Sequence, residues 1–394
     1  MTRLVADPTI GQRIQARRVL RGWSIRYAAS RAGVSHATWS RIERGLQAAD
    51  NRFTLAEIAA ALECSPVDLV GVPVPAADRA LVAAHAAVHG VRQALVDVDL
   101  SEVSPREPRP LPEVARTLEL VDSLRQACDY AGASRLLPGL LRDLHAGVPG
   151  RDRAAVLRAL CQAAFIASSV LRNLGHPAEA WLGAERCRDA AEAAGDPVLL
   201  GYAAYARASA ANACGAFERG LALASRAVDA LSGAPELVGS LQLNCALSAR
   251  GMRRLDDSRG WLAEAAGLAA RTGETETLTL FFGPTNVAFW RIGIEVDGGD
   301  PGRAAEIARS ANPALLPLGF RQVFFYADTA RALAGLRGRD AEAIRFLLAA
   351  ERVAPQHVHT SPVVRETSRA LLERSRRQAG GVALRGLCHR LQVG

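Results

Sequence analysis

"GVSHATWSRIERG", residues 33–45, packs a bend, a cap and a short two-sided helix into thirteen positions. Gly33 can adopt the positive φ that a tight bend requires, and Val34 fills the corner. The Ser35 hydroxyl can accept an N–H from the first turn of a helix that ends at Gly45. Ser35, His36, Ala37 and Arg41 then fall on one side of that helix, with Trp39 and Ile42 on another. Trp39, three residues before Ile42, reads as core; His36 faces outward. Upstream, "IGQRIQARRVLRG" (10–22) sets Ile10, Ile14, Val19 and Leu20 on one face and stops near Gly22, after which Ser24 can cap a second helix to about Ala32. Downstream, "FTLAEIAAALECSPVDLVG" (53–71) supplies two more apolar helical segments that can close a small core.

Two short helices joined by a glycine-containing turn make a helix-turn-helix signature. With the G-V-S turn, the "WSRIERG" ending and the following "TLAEIAAAL", residues 10–70 resemble the Cro and C1 repressor class, also called the XRE family. The resemblance implies that the third helix enters the major groove of double-stranded DNA. His36, Ala37 and Arg41 would then face bases, Arg41 by a bidentate contact to guanine and Ala37 by a methyl contact to thymine. Ser35, Ser40 and Arg44 would hold phosphates. Arg18 and Glu43 stand where this class pairs a first-helix arginine with a recognition-helix glutamate, and a partly buried pair is expected. Ile25 stands where the class usually has a phosphate-contacting Gln, so Arg26 or Arg13 is expected to substitute. The class also implies a homodimer, with two recognition helices ~34 Å apart on successive major-groove faces.

Composition points to an all-α chain. Hydrophobic residues make up 49% of the 394 positions and aromatics only 5%, and Ala- and Leu-rich windows with helical spacing recur throughout. There is no signal-peptide order and no uninterrupted run near the ~20 apolar residues of a membrane span, so a cytoplasmic, nucleoid-associated protein without membrane attachment is expected. Seven cysteines at scattered spacings give neither a disulfide framework nor a zinc knuckle, and reduced core thiols are expected. Every basic side chain is Arg. Residues 1–52 carry ten Arg against Asp7, Glu43 and Asp50; residues 365–394 carry seven against Glu366 and Glu373; the net charge is +8. The middle is therefore mildly acidic between a basic head and a basic tail, and a basic head is the electrostatic footprint of a polyanion binder.

"GVPVPAAD" (71–78) ends the head, since Pro73 and Pro75 favour an extended linker. A connecting helix is expected from about 77 to 97, inside a linker region spanning 72–112. His85 and His89 lie four apart on that helix, which is metal-ligand spacing, but with no Cys or acid near them they read as surface histidines. From 113 to 394 the chain repeats itself. "HPAEAWLGAERC", "AFERGLALASRAV", "DSRGWLAEAAG", "DPGRAAEIARS" and "RDAEAIRFLLAA" align on Ala180, Gly220, Gly260, Ala304 and Ala343, at intervals of 40, 40, 44 and 39. A helix pair repeated at this period indicates an α-solenoid, and it looks like divergent tetratricopeptide repeats.

The concave side of such a solenoid is an extended binding surface. Asn212, Asn244, Asn286 and Asp328 sit in otherwise apolar helices that would line it, where they suit either the backbone of a bound peptide or interhelical hydrogen bonds. Aromatic residues concentrate around Phe281, Phe282, Phe289, Trp290, Phe320, Phe324, Phe325 and Tyr326, with Arg321 beside them; this marks either a ligand or partner site or plain inter-repeat core. The basic tail reads as two helices hinged at Gly380-Gly381.

No phosphate-binding loop, nucleophile elbow or H-E-x-x-H motif is present, so an enzyme is not expected, and neither a cofactor nor a metal is implied. The reading is a DNA-binding transcriptional regulator whose repeat body senses a peptide, a small molecule or a protein and mediates dimerisation. The alternative is a repeat scaffold whose helix-turn-helix contacts protein.

Overall fold

The computed structural model describes residues 8–71, 78–376 and 381–393. Apart from one two-stranded hairpin, its regular structure is helical, with 21 α-helices among the described residues. The head comprises α1 (Ile10–Leu20), α2 (Ile25–Arg31), α3 (His36–Glu43), α4 (Arg52–Ala61) and α5 (Pro66–Val70). Each begins on a side-chain cap. Thr9, Ser24, Ser35, Asn51 and Ser65 accept an N–H from the first turn, and Thr9 and Ser65 complete capping boxes with Gln12 and Asp68. Gly33, between α2 and α3, sits at φ +64, as the bend required.

The head's core contains Ile10, Ile14, Trp39, Ile42, Leu55, Ile58, Leu62 and Leu69. Such buried aliphatic side chains contribute roughly 1.5–3 kcal/mol apiece. Val19 and Leu20 do not join it; they are 60% and 84% exposed. The inward face of α1 continues from Ile14 through the half-buried Arg17, Arg18 and Arg21, and the helical period turns Val19 and Leu20 to the other side. Gly11 lies so close to α3 that a Cβ would stand 2.2 Å from the Ile42 carbonyl oxygen.

The body begins with α6 (Arg79–Asp97), α7 (Leu111–Gln126) and α8 (Tyr130–Gly147). Six pairs of helices or shorter segments follow: α9 (Arg153–Asn173) with α10 (Pro177–Ala194), α11 (Pro197–Ala213) with α12 (Phe217–Ala230), α13 (Pro235–Gly251) with α14 (Leu255–Thr272), α15 (Pro284–Asp297) with α16 (Pro301–Ser310), α17 (Gly319–Ala334) with α18 (Asp340–Val353), and α19 (Pro355–Thr360) with α20 (Pro362–Arg376). The chain ends on α21 (Val382–Arg390). Helix α6 packs on α8 and gives Leu81, Ala84, Val88, Val91 and Leu95 to the body's main core, so it is a layer of the body and more than a connector. The expected linker prolines and Gly380 lie outside the described residues.

The repeat alignment holds at four of its five positions. Ala180, Gly220, Ala304 and Ala343 are each buried at the same point of the second helix in their pairs. In α14 that point is Ser258, 2% exposed and donating to the Ala246 carbonyl at 2.8 Å, whereas Gly260 is exposed. After α14, β1 (Thr275–Thr277) and β2 (Leu280–Phe282) form an antiparallel hairpin inserted before α15, which lengthens the following interval. Helix α9 is long and apolar enough to cross a membrane, but its apolar window is mostly buried in the body.

The head is seated on the body. Arg253, in the turn before α14, pairs with Glu57 at 2.6 Å and donates to the Gly33 carbonyl at 3.0 Å. Phe53 meets Phe217 edge to face, Ala49 N–H donates to Glu366, and Thr367 donates to Asp50. Between them lies a buried charge network. Arg52 donates through Nε to Asp297 at 2.5 Å and reaches Asp328 at 3.3 Å; Arg331 spans Asp297 at 2.5 Å and Asp328 at 2.9 Å and donates to the Asp50 carbonyl. Burial alone would lower the Arg331 pKa, but Asp297 and Asp328 raise it above the ordinary arginine value.

Candidate nucleic-acid interface and body cavity

Helix α3 has one face anchored and one face free. On the anchored face Trp39 is fully buried and donates its indole N–H to Glu43 at 2.6 Å, while Arg18 of α1 grips the same carboxylate through Nε at 2.6 Å and Nη2 at 2.9 Å. The third guanidinium nitrogen of Arg18, Nη1, donates to the Trp23 carbonyl. The carboxylate is therefore held by two helices, which fixes the angle of α3 to α1. The Arg18–Glu43 pair follows the expected pattern, but its completion by Trp39 was not read from the sequence, although the i,i+4 spacing of Trp39 and Glu43 carried the signal.

On the free face His36, Ala37, Arg41 and Arg44 are exposed, and Ser40 is half-buried. Ser35 is exposed at the N-cap, accepting from Thr38 N–H at 3.0 Å with its hydroxyl 2.8 Å from that of Thr38. Arg44 folds back so that Nε donates to the Ser40 carbonyl at 3.2 Å. Arg26 is exposed on α2. The side chains expected to face a duplex are thus gathered on one surface, and the helix N-terminus beside them offers unpaired N–H groups and a positive dipole end. Arg13 is the exception. Its Nη1 donates to the Val70 carbonyl at 2.7 Å and also reaches that of Leu69, so it caps the end of α5 and is occupied within the head.

The candidate effector residues separate in the same way. Asn212 and Asn244 bond to each other at 3.4 Å and to Ser248 and Ser209, between α11 and α13, and so act as interhelical ties. Asn286 donates to the Phe281 carbonyl at 2.6 Å and holds the hairpin to α15. Phe325 packs into a closed core with Phe289, centroids 4.9 Å apart, and with Phe346. None of these four lines the body cavity; each is engaged between neighbouring elements, although Asn244 Nδ2 and Asn286 Oδ1 are buried without a partner among the described residues. Trp290, Arg321 and Asp328 do line it, a hollow of about 140 Å³ whose wall also includes Arg125, Arg172, Phe165, Tyr205, Phe320 and Phe324. From the head, Arg52 reaches its rim. The sequence reading missed the three arginines 52, 125 and 172, which come from three distant segments.

The histidine pair expected on the surface also changes. His85 is half-buried and faces His176 at 3.4 Å, and burial with the nearby His176 lowers its pKa to about 4, while His89 is exposed. Among the described residues no group of three or more His, Cys, Asp or Glu side chains could hold a metal ion.

With this geometry in view, residues 9–70 match the family model of a helix-turn-helix domain. The head is therefore a helix-turn-helix domain, followed by helical repeats. Among solved structures the chain is similar to Bacillus thuringiensis PlcR in complex with the peptide PapR7 and DNA, at 13% identity and a TM-score of 0.35, over 88% of this chain and 99% of that one. No curated protein matches the chain.

Proposed function

We propose that the protein is a sequence-specific, double-stranded DNA-binding transcriptional regulator of the Cro/C1 type, working as a homodimer in the cytoplasm, whose repeat body senses an effector. The observation that carries this reading is the division of α3. Its inner face is locked by the Arg18–Glu43–Trp39 contacts, while His36, Ala37 and Arg41 stand outward with no side-chain hydrogen bond or ion pair among the described residues. Arg41 reads a guanine, Ala37 a thymine methyl, and Ser35, Ser40, Arg44 and Arg26 hold phosphates. The body supports the same face: it grips the turn before α3 through Arg253 and the segment after it through Glu366 and Arg331, so a change in the body can alter the pose of α3.

The test is fluorescence anisotropy of the full chain on duplexes from the DNA flanking its own gene, over a salt series. A regulator gives sequence-dependent binding that falls steeply with salt through counterion release. Arg41→Ala should relax discrimination at one base pair per half-site by about 1–3 kcal/mol. Equal binding of variant and parent to every duplex would refute the assignment, and the absence of any selective binding would favour a repeat scaffold that contacts protein.

A further inference from the structure

The cavity in the body is unusual in its charge balance. The acid in its lining, Asp328, is already shared between Arg52 and Arg331. Arg125 is paired with Asp122 at 2.6 Å, donates to the Thr279 carbonyl and lies over the Phe320 ring at 4.9 Å. Arg172 and Arg321 have neither an ion-pair partner nor a hydrogen bond from their guanidinium groups among the described residues. Arg321 is 8% exposed, its Nε is buried without an acceptor, and its guanidinium lies over the Phe320 ring at 4.6 Å. A buried guanidinium without a counter-charge, as at Arg321, is costly, and the half-buried Arg172 in the same cavity repels it. The field shows in their surroundings. Burial, then Arg172 and Arg52, lower the pKa of His357 to about 4, and burial, with Arg321 and Arg125 adding to it, lowers that of Arg172.

Around these cations the walls are apolar: Phe165, Trp290, Phe320 and Phe324, with Ser169 and Asn173 as neutral polar groups. A fork of N–H donors matches a carboxylate, and aromatic walls match an apolar body attached to it. We propose that this cavity binds an organic carboxylate, whose oxygens are taken by Arg172 and Arg321 and whose apolar part packs on Trp290 and Phe324. Such a group is found both on free organic acids and at the C-terminus of a peptide. Because Arg52 of the head reaches the same cavity, the bound anion competes with Asp328 for its guanidinium and loosens or resets the segment before α4. This coupling rests on the regulator reading; the binding site does not.

The test uses the full chain without DNA, so its outcome is independent of the operator assignment. Thermal melting is followed with 3-phenylpropionate and with N-acetyl-alanyl-phenylalanine, each against its amide, and with sodium sulfate. The carboxylates should raise Tm and the amides should bind roughly 10- to 100-fold more weakly. Response to the free acid alone or to the acetylated dipeptide alone assigns the source. Arg172→Met should abolish the response while raising the Tm of the unliganded protein, because it removes a half-buried charge that Arg321 and Arg125 repel; Arg321→Gln is the second variant should the first fail to fold. Equal response to sulfate, equal response to the amides, no response to any carboxylate, or a full response in both variants overturns the site. Hydrogen exchange at residues 49–58 should change on binding, and unchanged exchange with the carboxylate bound overturns the coupling.

Discussion

The attachment of head to body should depend on one carboxylate, that of Asp297. It is fully buried and accepts from Arg331 Nη2 at 2.5 Å, Arg52 Nε at 2.5 Å and Arg52 backbone N–H at 3.1 Å, while its own carbonyl accepts from Asn51 at 2.7 Å. Asp297→Asn keeps the shape but removes the charge, leaving two guanidinium groups to share Asp328. Breaking a buried ion pair by removing one partner costs about 3–5 kcal/mol. Arg331 is 3% exposed at its side chain and cannot escape to water, whereas Arg52 is 41% exposed and can relax. The expected loss is therefore at the lower end, about 3 kcal/mol. It should fall on the docking of residues 50–52, so urea unfolding followed by tryptophan fluorescence and circular dichroism should separate into two transitions. A double-mutant cycle with Arg52→Met isolates the pair. Burial raises the Asp297 pKa, but Arg331 and Arg52 outweigh it and hold it below the ordinary value. The stability it confers is thus present above about pH 4 and lost as pH falls through the depressed folded value, and the variant should lack that acid-side loss. A destabilisation under about 0.5 kcal/mol, or additivity of the two substitutions, would refute the reasoning.

Three further outcomes follow from the same contacts. Trp39→Phe removes the indole donor from the buried Glu43 and should cost about 1–3 kcal/mol by chemical denaturation, with no change in base preference once folded. Gly11→Ala drives a methyl group into the Ile42 carbonyl, so α1 and α3 must separate; a loss of about 1–3 kcal/mol and weaker DNA binding are expected, and parental affinity would contradict the close packing. His359 lies between Asp78 at 2.7 Å and Glu351 at 3.0 Å. Burial lowers its pKa, but hydrogen bonds to Glu351 and Asp78 prevail and raise it. Its contribution is full below about pH 6.5 and is lost as pH rises through the raised folded value, so Tm should fall across that window in the parent and remain flat in His359→Gln.

The head was legible in the sequence because its signals are local. A cap hydroxyl, the bend at Gly33 and the three-residue step from Trp39 to Ile42 act within one or two helical turns, where spacing alone decides which side chains share a face. Val19 and Leu20 were read as inward, but the face of Ile10 and Ile14 continues through Arg17, Arg18 and Arg21, and Arg18 is held inward by the buried Glu43. Arg13 likewise looked available for phosphate, and it took the fold to bring the end of α5 within its reach.

In the body the period of the helix pairs was readable, since each small residue answers to a close approach between helices, and register failed in α14, where the buried position is taken by Ser258 instead of the aligned Gly260. The amides and aromatics showed that polar and ring-bearing residues are concentrated there but not which atoms are already satisfied. That was decided by tertiary structure alone. Arg52, Arg125, Arg172 and Arg321 are far apart in the chain and come together only when the solenoid winds and the head docks. Sequence set the helices and the face that each presents, because those depend on neighbours a few residues away. Tertiary structure set which charges are left unpaired, because a counter-charge is a matter of distance in space.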